Sequence, residues 1–205
     1  MMRSVNSDTV SDFAEIYADD VELISVDRPN HQAIESLSQD LIQSRKTLEL
    51  QWVQAADDCE AANDHLPETV GDQVKSMLIE QVTESCEMLG ALLGCDNIGV
   101  RLATLRSPMC PKFHVDNIPC RLLITLTGEG TEWIPHGDVN WPVFSDLSNK
   151  DTPARTDSSV KKLTAGQWSL LKGGSWKNNY QGVVHRSPEG SRERLFLSLD
   201  PIFNH

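Results

Sequence analysis

Two histidines and one aspartate are the residues whose types and spacing best suit chemistry. His114 and Asp116 are one residue apart in Cys-Pro-Lys-Phe-His-Val-Asp, and His185 follows later in Val-Val-His-Arg-Ser-Pro. Two imidazoles and one carboxylate, with open positions around the ion, form the facial triad of non-haem Fe(II) oxygenases. The three residues are therefore predicted to bind a metal ion and to carry its chemistry. Imidazoles also accept zinc, so the ligand types leave both Fe(II) and Zn(II) open.

A β-strand would place two of these ligands together. Side chains two residues apart on a strand project from the same face, so His114 and Asp116 would point jointly into a barrel interior. His185 ends a Gly-Val-Val run of strand character. A strand on the facing side would deliver it to the same point. We therefore expect two strands, far apart in the chain, to form the metal site.

Two other features compete with this interpretation. His136 and Asp138 repeat the His-x-Asp spacing in Ile-Pro-His-Gly-Asp, where Pro and Gly indicate a turn, so this pair is predicted to lie on a surface loop. Cys110 and Cys120 flank the first pair and could act as soft ligands that favour zinc. A buried, inert thiol is nevertheless the commoner role of a free cysteine.

An arginine on the last predicted strand suggests an anion site. Arg194, Phe196 and Ser198 share one face, whereas the leucines at 195, 197 and 199 share the other. A guanidinium that points into a barrel needs an anionic partner, because its burial alone is costly. The carboxylate of 2-oxoglutarate would satisfy it. Arg194 and Ser198 are thus predicted to bind a cosubstrate, and Arg121 and Arg186 compete as the anion-binding arginine.

The hydrophobic pattern changes near Gly94. Before it, apolar residues recur every three to four positions from about 31 to 54 and from 67 to 93, which predicts helices, and residues 21 to 26 resemble a strand. After it, strands are predicted near 98–105, 121–127, 166–172, 182–185 and 194–200, with a long loop over 140–162. The predicted fold is α+β in a single domain over residues 1–205. A mostly helical half (1–95) would buttress an antiparallel jelly-roll metal-binding core (96–205).

Charge and composition limit the partners. The formal net charge of −12 repels phosphate backbones and anionic lipids, so neither nucleic acid nor a membrane is expected as the main partner. A small-molecule or protein substrate fits better. The start of the chain lacks an apolar signal-peptide core, and the five cysteines include no Cys-x-x-Cys, so a cytoplasmic protein with free thiols is expected.

Several motifs carry a family resemblance. They are Cys110-Pro-Lys-Phe-His-Val-Asp, Leu170-Leu-Lys-Gly-Gly-Ser-Trp, Val184-His-Arg-Ser-Pro and Arg194-Leu-Phe-Leu-Ser-Leu-Asp-Pro. With them the chain resembles the bacterial family catalogued as domain of unknown function 1826. The resemblance covers most of the chain and implies no specific reaction. Genes of that family often lie near zinc-homeostasis genes, so the resemblance also hints at metal handling.

A more distant resemblance concerns the order of the site residues. His-x-Asp, a distal His and an Arg on a final strand resemble the cupin-like double-stranded β-helix of Fe(II)/2-oxoglutarate oxygenases. The resemblance implies that His114, Asp116 and His185 bind the metal and that Arg194 binds the 2-oxoglutarate carboxylate. The chain departs from the Arg-x-Ser pattern of that superfamily, because Phe196 stands where Ser is expected.

Three hypotheses follow. The leading one is a cytoplasmic Fe(II)- and 2-oxoglutarate-dependent oxygenase with an unidentified substrate. The second is a non-catalytic, cupin-like zinc-binding or zinc-homeostasis protein that uses the same three residues, with Cys110 as an additional ligand. The third is a scaffold that binds no metal.

Overall fold

The computed structural model describes residues 1–28, 31–146, 148–177, 180–190 and 193–203. Within them, four α-helices span His31–Gln43 (α1), Ala61–His65 (α2), Asp72–Leu93 (α3) and Trp141–Ser145 (α4). The first five strands are β1 (Arg3–Ser7), β2 (Val21–Val26), β3 (Glu49–Ala55), β4 (Asn97–Leu105) and β5 (Cys120–Thr127). The others are β6 (Glu132–Ile134), β7 (Lys161–Lys162), β8 (Trp168–Lys172), β9 (Val184–Arg186) and β10 (Arg194–Ile202). Short 3₁₀ helices span Val10–Tyr17, His136–Asp138 and Asp157–Ser159.

A seven-stranded sheet in the order β1-β2-β8-β5-β10-β4-β3 dominates the fold. Its strand pairs are antiparallel apart from the parallel pair β1 and β2. Strand β10 lies between β5 and β4 and alternates as predicted. Leu195, Leu197 and Leu199 are fully buried in the main core. The opposite face of β10 is therefore free to carry the functional side chains.

Helix α3 covers the face of the large sheet that holds the main core. Its buried residues Leu78, Val82 and Leu89 belong to the same hydrophobic cluster as the leucines of β10. The helix ends at Gly94, whose φ of 66° is left-handed and favours glycine. The apolar period of three to four residues in the sequence thus corresponds to a helix packed on the sheet.

A smaller sheet, in the order β7-β6-β9, packs on the other face of the large sheet. Trp133 of β6 lies in one hydrophobic cluster with Leu123, Leu171 and Phe196 of the large sheet. A single β-bridge between His114 and His185 extends the smaller sheet beyond β9. The space between the two sheets, on the side of this bridge, holds the candidate functional site.

The mostly helical first half is not confirmed. Strand β2 and helix α3 lie where the sequence predicted a strand and a helix, but β1, β2 and β3 all belong to the large sheet. The helix predicted over 31–54 ends at Gln43, and Glu49–Ala55 is a strand. The reason is a period of two in that segment, where Trp52 and Gln54 are buried and their neighbours are more exposed.

The rest of the second half follows the predicted strands with three exceptions. Strand β6 was not predicted from the sequence. The loop predicted over 140–162 contains α4, a 3₁₀ turn and β7. The strand expected through His114 and Asp116 is absent from the described structure, as the next section explains. Among the described residues, none of the helices combines the length and the apolar character needed to cross a membrane.

Candidate metal centre

His114 and Asp116 lie in the loop between β4 and β5, and the strand predicted there is wrong. Prolines at 108, 111 and 119 interrupt this segment, and proline cannot donate to a strand ladder. Among the described residues, this segment forms one β-bridge, in which His114 and His185 each donate a backbone N–H to the other's carbonyl at 2.9 Å. This bridge still brings the two imidazoles together, with ring centroids 4.5 Å apart.

The three predicted ligands converge. The Nε2 atom of His114 lies 3.6 Å from Oδ1 of Asp116, and Nε2 of His185 lies 3.3 Å from Oδ2 of the same carboxylate. All three side chains offer ligand atoms within 4.8 Å of one another. Ligands that are each about 2.0 to 2.2 Å from one ion lie roughly 3 Å apart. The atoms are therefore close enough to share a single metal ion.

Backbone carbonyls fix the orientation of both imidazoles. Nδ1 of His114 lies 3.0 Å from the carbonyl oxygen of Lys112, and Nδ1 of His185 lies 3.0 Å from that of Val183. A carbonyl only accepts hydrogen bonds, so each neutral ring must carry its hydrogen on Nδ1. Each Nε2 atom then keeps its lone pair and faces the Asp116 carboxylate. Metal-binding histidines are oriented in this way.

The carboxylate of Asp116 fits a cation. Its Oδ2 atom is buried and has no hydrogen-bond partner among the described residues. Arg121 Nη1 lies 2.8 Å from this oxygen, so the two groups form an ion pair, but the geometry is not that of a hydrogen bond. A buried carboxylate oxygen without a donor is costly. A divalent metal ion beside the two Nε2 atoms would satisfy it, so the residues present fit the metal that the ligand types predict.

The charges of the triad are coupled. Burial alone would raise the pKa of Asp116, but contacts with the imidazoles of His114 and His185 and attraction to Arg121 hold it well below its usual range. The contact with this carboxylate in turn raises the pKa of His114, which outweighs the effect of burial. Without a metal, the pKa of His114 therefore lies above the ordinary value of a histidine.

The glycine pair Gly173-Gly174 supports Asp116. The N–H of Gly174 donates to the backbone carbonyl of Asp116 at 2.8 Å. A Cβ atom on Gly173 would lie 2.0 Å from the carbonyl oxygen of Ile118 and 2.9 Å from that of Asp116. Glycine is thus needed at 173 because the ligand loop packs directly on its backbone.

Arg121 is engaged by carboxylates rather than available for a cosubstrate. Its Nε and Nη2 atoms donate to the two carboxylate oxygens of Asp200, both at 2.6 Å, and its Nη1 contacts Asp116. A fork of this kind is the geometry that guanidinium prefers. Arg121 therefore lies where it supports Asp116, and its role in anion binding stays a prediction.

Arg194 is buried without an acidic partner. Only 4% of its surface is exposed, and among the described residues no carboxylate lies within ion-pair distance of it. Its Nη2 donates to Ser187 Oγ at 3.0 Å, and its Cζ lies 4.9 Å from the centroid of the Phe196 ring. Burial lowers the pKa of Arg194 to about 10. A guanidinium that is buried in this way could be neutralised by an external anion.

One cavity of about 310 Å³ contains the triad and Arg194. Ser198 also lines it, but the register places Ser198 beside Arg101 of β4 and four residues along the strand from Arg194. Cys110 lines the cavity as well, yet the ligand cluster found among the described residues contains no sulfur. The structure thus brings together the predicted triad and Arg194, whereas Cys110 is outside the ligand set.

Ser187 and Arg101 are among the side chains of this cavity that sequence reasoning missed. Ser187 follows His185 by two residues and contacts Arg194, and Arg101 lies on β4 with alternating polar and buried residues around it. The spacing of two residues from a predicted ligand could have indicated Ser187. For Arg101, the alternation in Ile-Gly-Val-Arg-Leu predicts on which face of the strand the side chain lies. It does not predict that this face lines the cavity.

The second His-x-Asp pair lies outside the metal centre. His136 and Asp138 form a short 3₁₀ turn, as the flanking Pro and Gly suggested, and His136 is half-buried rather than fully on the surface. The N–H of His136 donates to the carboxylate of Glu22 at 3.2 Å, and its ring lies 5.0 Å from that of Trp141. This pair therefore belongs to a separate polar cluster.

Comparisons with known proteins agree with this architecture. The jelly-roll fold of Fe(II)/2-oxoglutarate oxygenases appears in the dioxygenase for auxin oxidation 1 of Arabidopsis thaliana, solved with 2-oxoglutarate. It is 10% identical over 100% of this chain and 94% of that one, with a TM-score of 0.55. For the dioxygenase for auxin oxidation of rice, the identity is 12% over 98% and 83% of the two chains, with a TM-score of 0.53. For a prolyl-4-hydroxylase of Pseudomonas putida, it is 10% over 96% and 100%, with a TM-score of 0.50. At these identities the similarity establishes a shared fold alone.

The chain belongs to the family described as protein of unknown function (DUF1826), whose model matches residues 7–200. The family resemblance carried by the sequence motifs is thereby confirmed. No curated protein matches the sequence.

Proposed function

We propose that this protein is an Fe(II)- and 2-oxoglutarate-dependent oxygenase of double-stranded β-helix fold. One observation carries the proposal: the His-Asp-His cluster and a buried arginine without an acidic partner among the described residues line the same cavity. A metal-binding protein without turnover has no need of Arg194 in that position, because an unpaired buried guanidinium is costly. The distal carboxylate of a bound cosubstrate would neutralise the guanidinium of Arg194.

His114, Asp116 and His185 would hold the metal. Bound Fe(II) with open coordination positions supplies the activation of O₂ that accompanies decarboxylation of 2-oxoglutarate. The imidazoles present Nε2 lone pairs because their Nδ1 hydrogens are committed to backbone carbonyls. Arg121 and Asp200 keep the carboxylate of Asp116 ionised and in place. These contacts preorganise the ligands before any cosubstrate arrives.

Arg194 and Ser187 would bind the distal carboxylate of 2-oxoglutarate. Ser187 Oγ accepts hydrogen bonds from Arg194 Nη2 at 3.0 Å and from the N–H of Cys110 at 3.2 Å. A hydroxyl has two lone pairs and one hydrogen, so both of its acceptor positions are filled and its hydrogen is free to donate. Ser187 would thus supply the hydroxyl that the Arg-x-Ser pattern places at 196, where this chain has Phe196.

The direct test is an anaerobic titration with Fe(II) and 2-oxoglutarate. We expect a metal-to-ligand charge-transfer band in the visible range, and succinate formation when O₂ is admitted. A His185→Ala variant should lose both signals while it retains its circular dichroism spectrum. Absence of the band and of succinate in the unmodified protein would refute the proposed function.

The zinc-binding alternative uses the same three ligands. A different measurement distinguishes it from the oxygenase. Elemental analysis of protein purified without added metal would show stoichiometric zinc, and Cys110→Ser would weaken its binding. The position of Cys110 outside the ligand cluster of the described residues argues against that outcome. A Cys110→Ser variant with unchanged metal content is therefore expected.

We further propose that the substrate is a small molecule or a protein and that residues 1–205 act as one unit. The net charge of −12 argues against nucleic acid and anionic lipid as partners. Strands from both ends of the chain join in the large sheet, which supports treating it as one unit. Expression of residues 96–205 alone should give an unfolded chain by circular dichroism, whereas a folded fragment would show two independent units.

A further inference from the structure

A second arginine of the cavity also lacks a partner. Arg101 lines the cavity from β4, is half-buried, and makes no hydrogen bond or ion pair with any of the described residues. The other two arginines of the lining, apart from Arg194, differ from it in this respect. Arg121 is paired with Asp200, and Arg186 is paired with Glu132 at 2.8 Å. The guanidinium of Arg101 is thus available to a ligand of the cavity.

The register of the large sheet places polar neighbours on both sides of Arg101. It pairs with Ser198 of β10 on one side and with Gln51 of β3 on the other. Directly paired residues point to the same face, with Cβ atoms about 4.5 to 5.5 Å apart. Ser198, Arg101 and Gln51 therefore form a row across three strands, from a buried position to the exposed edge strand.

This row is separate from the proposed 2-oxoglutarate site. Arg194 pairs with Leu105, four residues along β4 from Arg101, which corresponds to roughly 13 Å at the rise of a strand. Its guanidinium is held at its own end by Ser187 and by the backbone carbonyl of Glu129. The backbone positions of the two arginines are therefore well separated, and the contacts of Arg194 do not involve Arg101.

The charges of the cavity indicate what Arg101 would bind. In the loaded site, the positive charges of a divalent metal and Arg194 would offset the negative charges of Asp116 and the two carboxylates of 2-oxoglutarate. Arg121 and Asp200 neutralise each other, as do Arg186 and its partner Glu132. Arg101 then carries the one uncompensated charge among the described lining residues, and a ligand with a single negative charge would neutralise it.

Resting on the proposed function, we infer that Arg101 binds the carboxylate of the primary substrate, with Gln51 and Ser198 beside it. A single guanidinium matches a carboxylate through two parallel hydrogen bonds. A phosphate dianion would need a second cation, and the described lining offers none that is unpaired. Met109, Leu123 and Phe196 line the same cavity, so the body of the substrate is apolar. The substrate class is thus an apolar monocarboxylic acid.

The test measures binding and not turnover. Protein loaded with Zn(II) and 2-oxoglutarate is titrated by calorimetry with 3-phenylpropanoate and hexanoate, with neutral 3-phenylpropanamide, and with phenyl phosphate. The unmodified protein should bind a carboxylate at least about tenfold more tightly than the amide, because hydrogen bonds between charged groups are stronger than those to a neutral amide. Arg101→Gln should remove this preference and leave the affinity for 2-oxoglutarate unchanged.

Two control variants complete the experiment. Arg106→Gln removes the same charge from an exposed position outside the cavity lining and should bind the carboxylates normally. Arg194→Gln should show the reverse pattern of Arg101→Gln, with weakened 2-oxoglutarate binding and retained preference for the carboxylate over the amide.

Several results would overturn the inference. They are undiminished carboxylate binding by Arg101→Gln, equal affinity for acid and amide, tighter binding of phenyl phosphate, or no binding of either carboxylate by the unmodified protein. Failure of the proposed function gives a different result. In that case 2-oxoglutarate does not bind to the metal-loaded protein, whereas 3-phenylpropanoate still binds through Arg101, so only the carboxylate site at Arg101 is retained.

Discussion

His114 and His185 are joined by a single antiparallel β-bridge whose two backbone hydrogen bonds are both 2.9 Å long. The bridge fixes the distance between their rings without a continuous strand at His114. Asp116 then reaches both Nε2 atoms from the same loop. The geometry of the candidate metal centre therefore depends on a local contact between two segments that are far apart in the chain.

The first prediction concerns the carboxylate of the triad. Asp116→Asn should weaken binding of Fe(II) or Zn(II) by more than about a hundredfold, since loss of a mere outer partner of a metal ligand already costs about 10–100-fold. Calorimetric titration measures the affinity. Asp138→Asn, in the second His-x-Asp pair, is the matched control and should bind metal normally. Equal metal affinity in both variants would show that the cluster does not bind the ion.

The second prediction concerns the cosubstrate site. Ser187→Ala should weaken 2-oxoglutarate binding by roughly five- to tenfold, because one hydrogen bond is lost and the guanidinium of Arg194 loses its support. Metal affinity should stay the same. The charge-transfer band of the Fe(II) complex reports the 2-oxoglutarate affinity. If Ser187→Ala binds 2-oxoglutarate as the unmodified protein does, Ser187 has no part in the site.

The third prediction concerns pH. The contact with Asp116 raises the pKa of His114, so this contact stabilises the metal-free protein at low pH and its contribution is lost as the pH rises through that raised pKa. Metal binding requires a neutral imidazole. At pH values below the raised pKa, the metal must therefore displace a proton from His114. Asp116, whose pKa is lowered, stays ionised throughout and releases none.

Calorimetry in buffers with different ionisation enthalpies measures this proton. Release on metal binding should be substantial at about pH 6, near the ordinary histidine pKa, and should vanish at about pH 9. Metal affinity should rise over the same interval. Proton release that does not change with pH would contradict the proposed coupling between His114 and Asp116.

The fourth prediction concerns the glycine beneath the ligand loop. Gly173→Ala should lower metal affinity by about tenfold or more, because the new Cβ would lie 2.0 Å from the carbonyl oxygen of Ile118 and force the loop away. Gly71→Ala is the matched control, since nothing lies within 4 Å of a Cβ at that position. Equal metal affinity in the two variants would mean that the loop tolerates the shift.

The strands of the second half could be predicted because their signals are local. In β10, leucines alternate with polar and aromatic residues, and this period of two is a direct consequence of the pleat. Helix α3 has the corresponding helical period and a glycine at its end. Strand β3 was predicted as a helix because Leu48 and Trp52 also fit a spacing of four, and only pairing with β4 selects the strand.

By itself, the sequence determined the residue types of the triad, the alternating face of β10 and the family to which the chain belongs. Tertiary structure alone decided which arginines have partners. Arg121 meets Asp200 across the β5 and β10 pair, whereas Arg194 and Arg101 meet no carboxylate among the described residues. The reason is physical: the cost of burying a charge depends on what other segments place beside it, and no spacing along the chain encodes that.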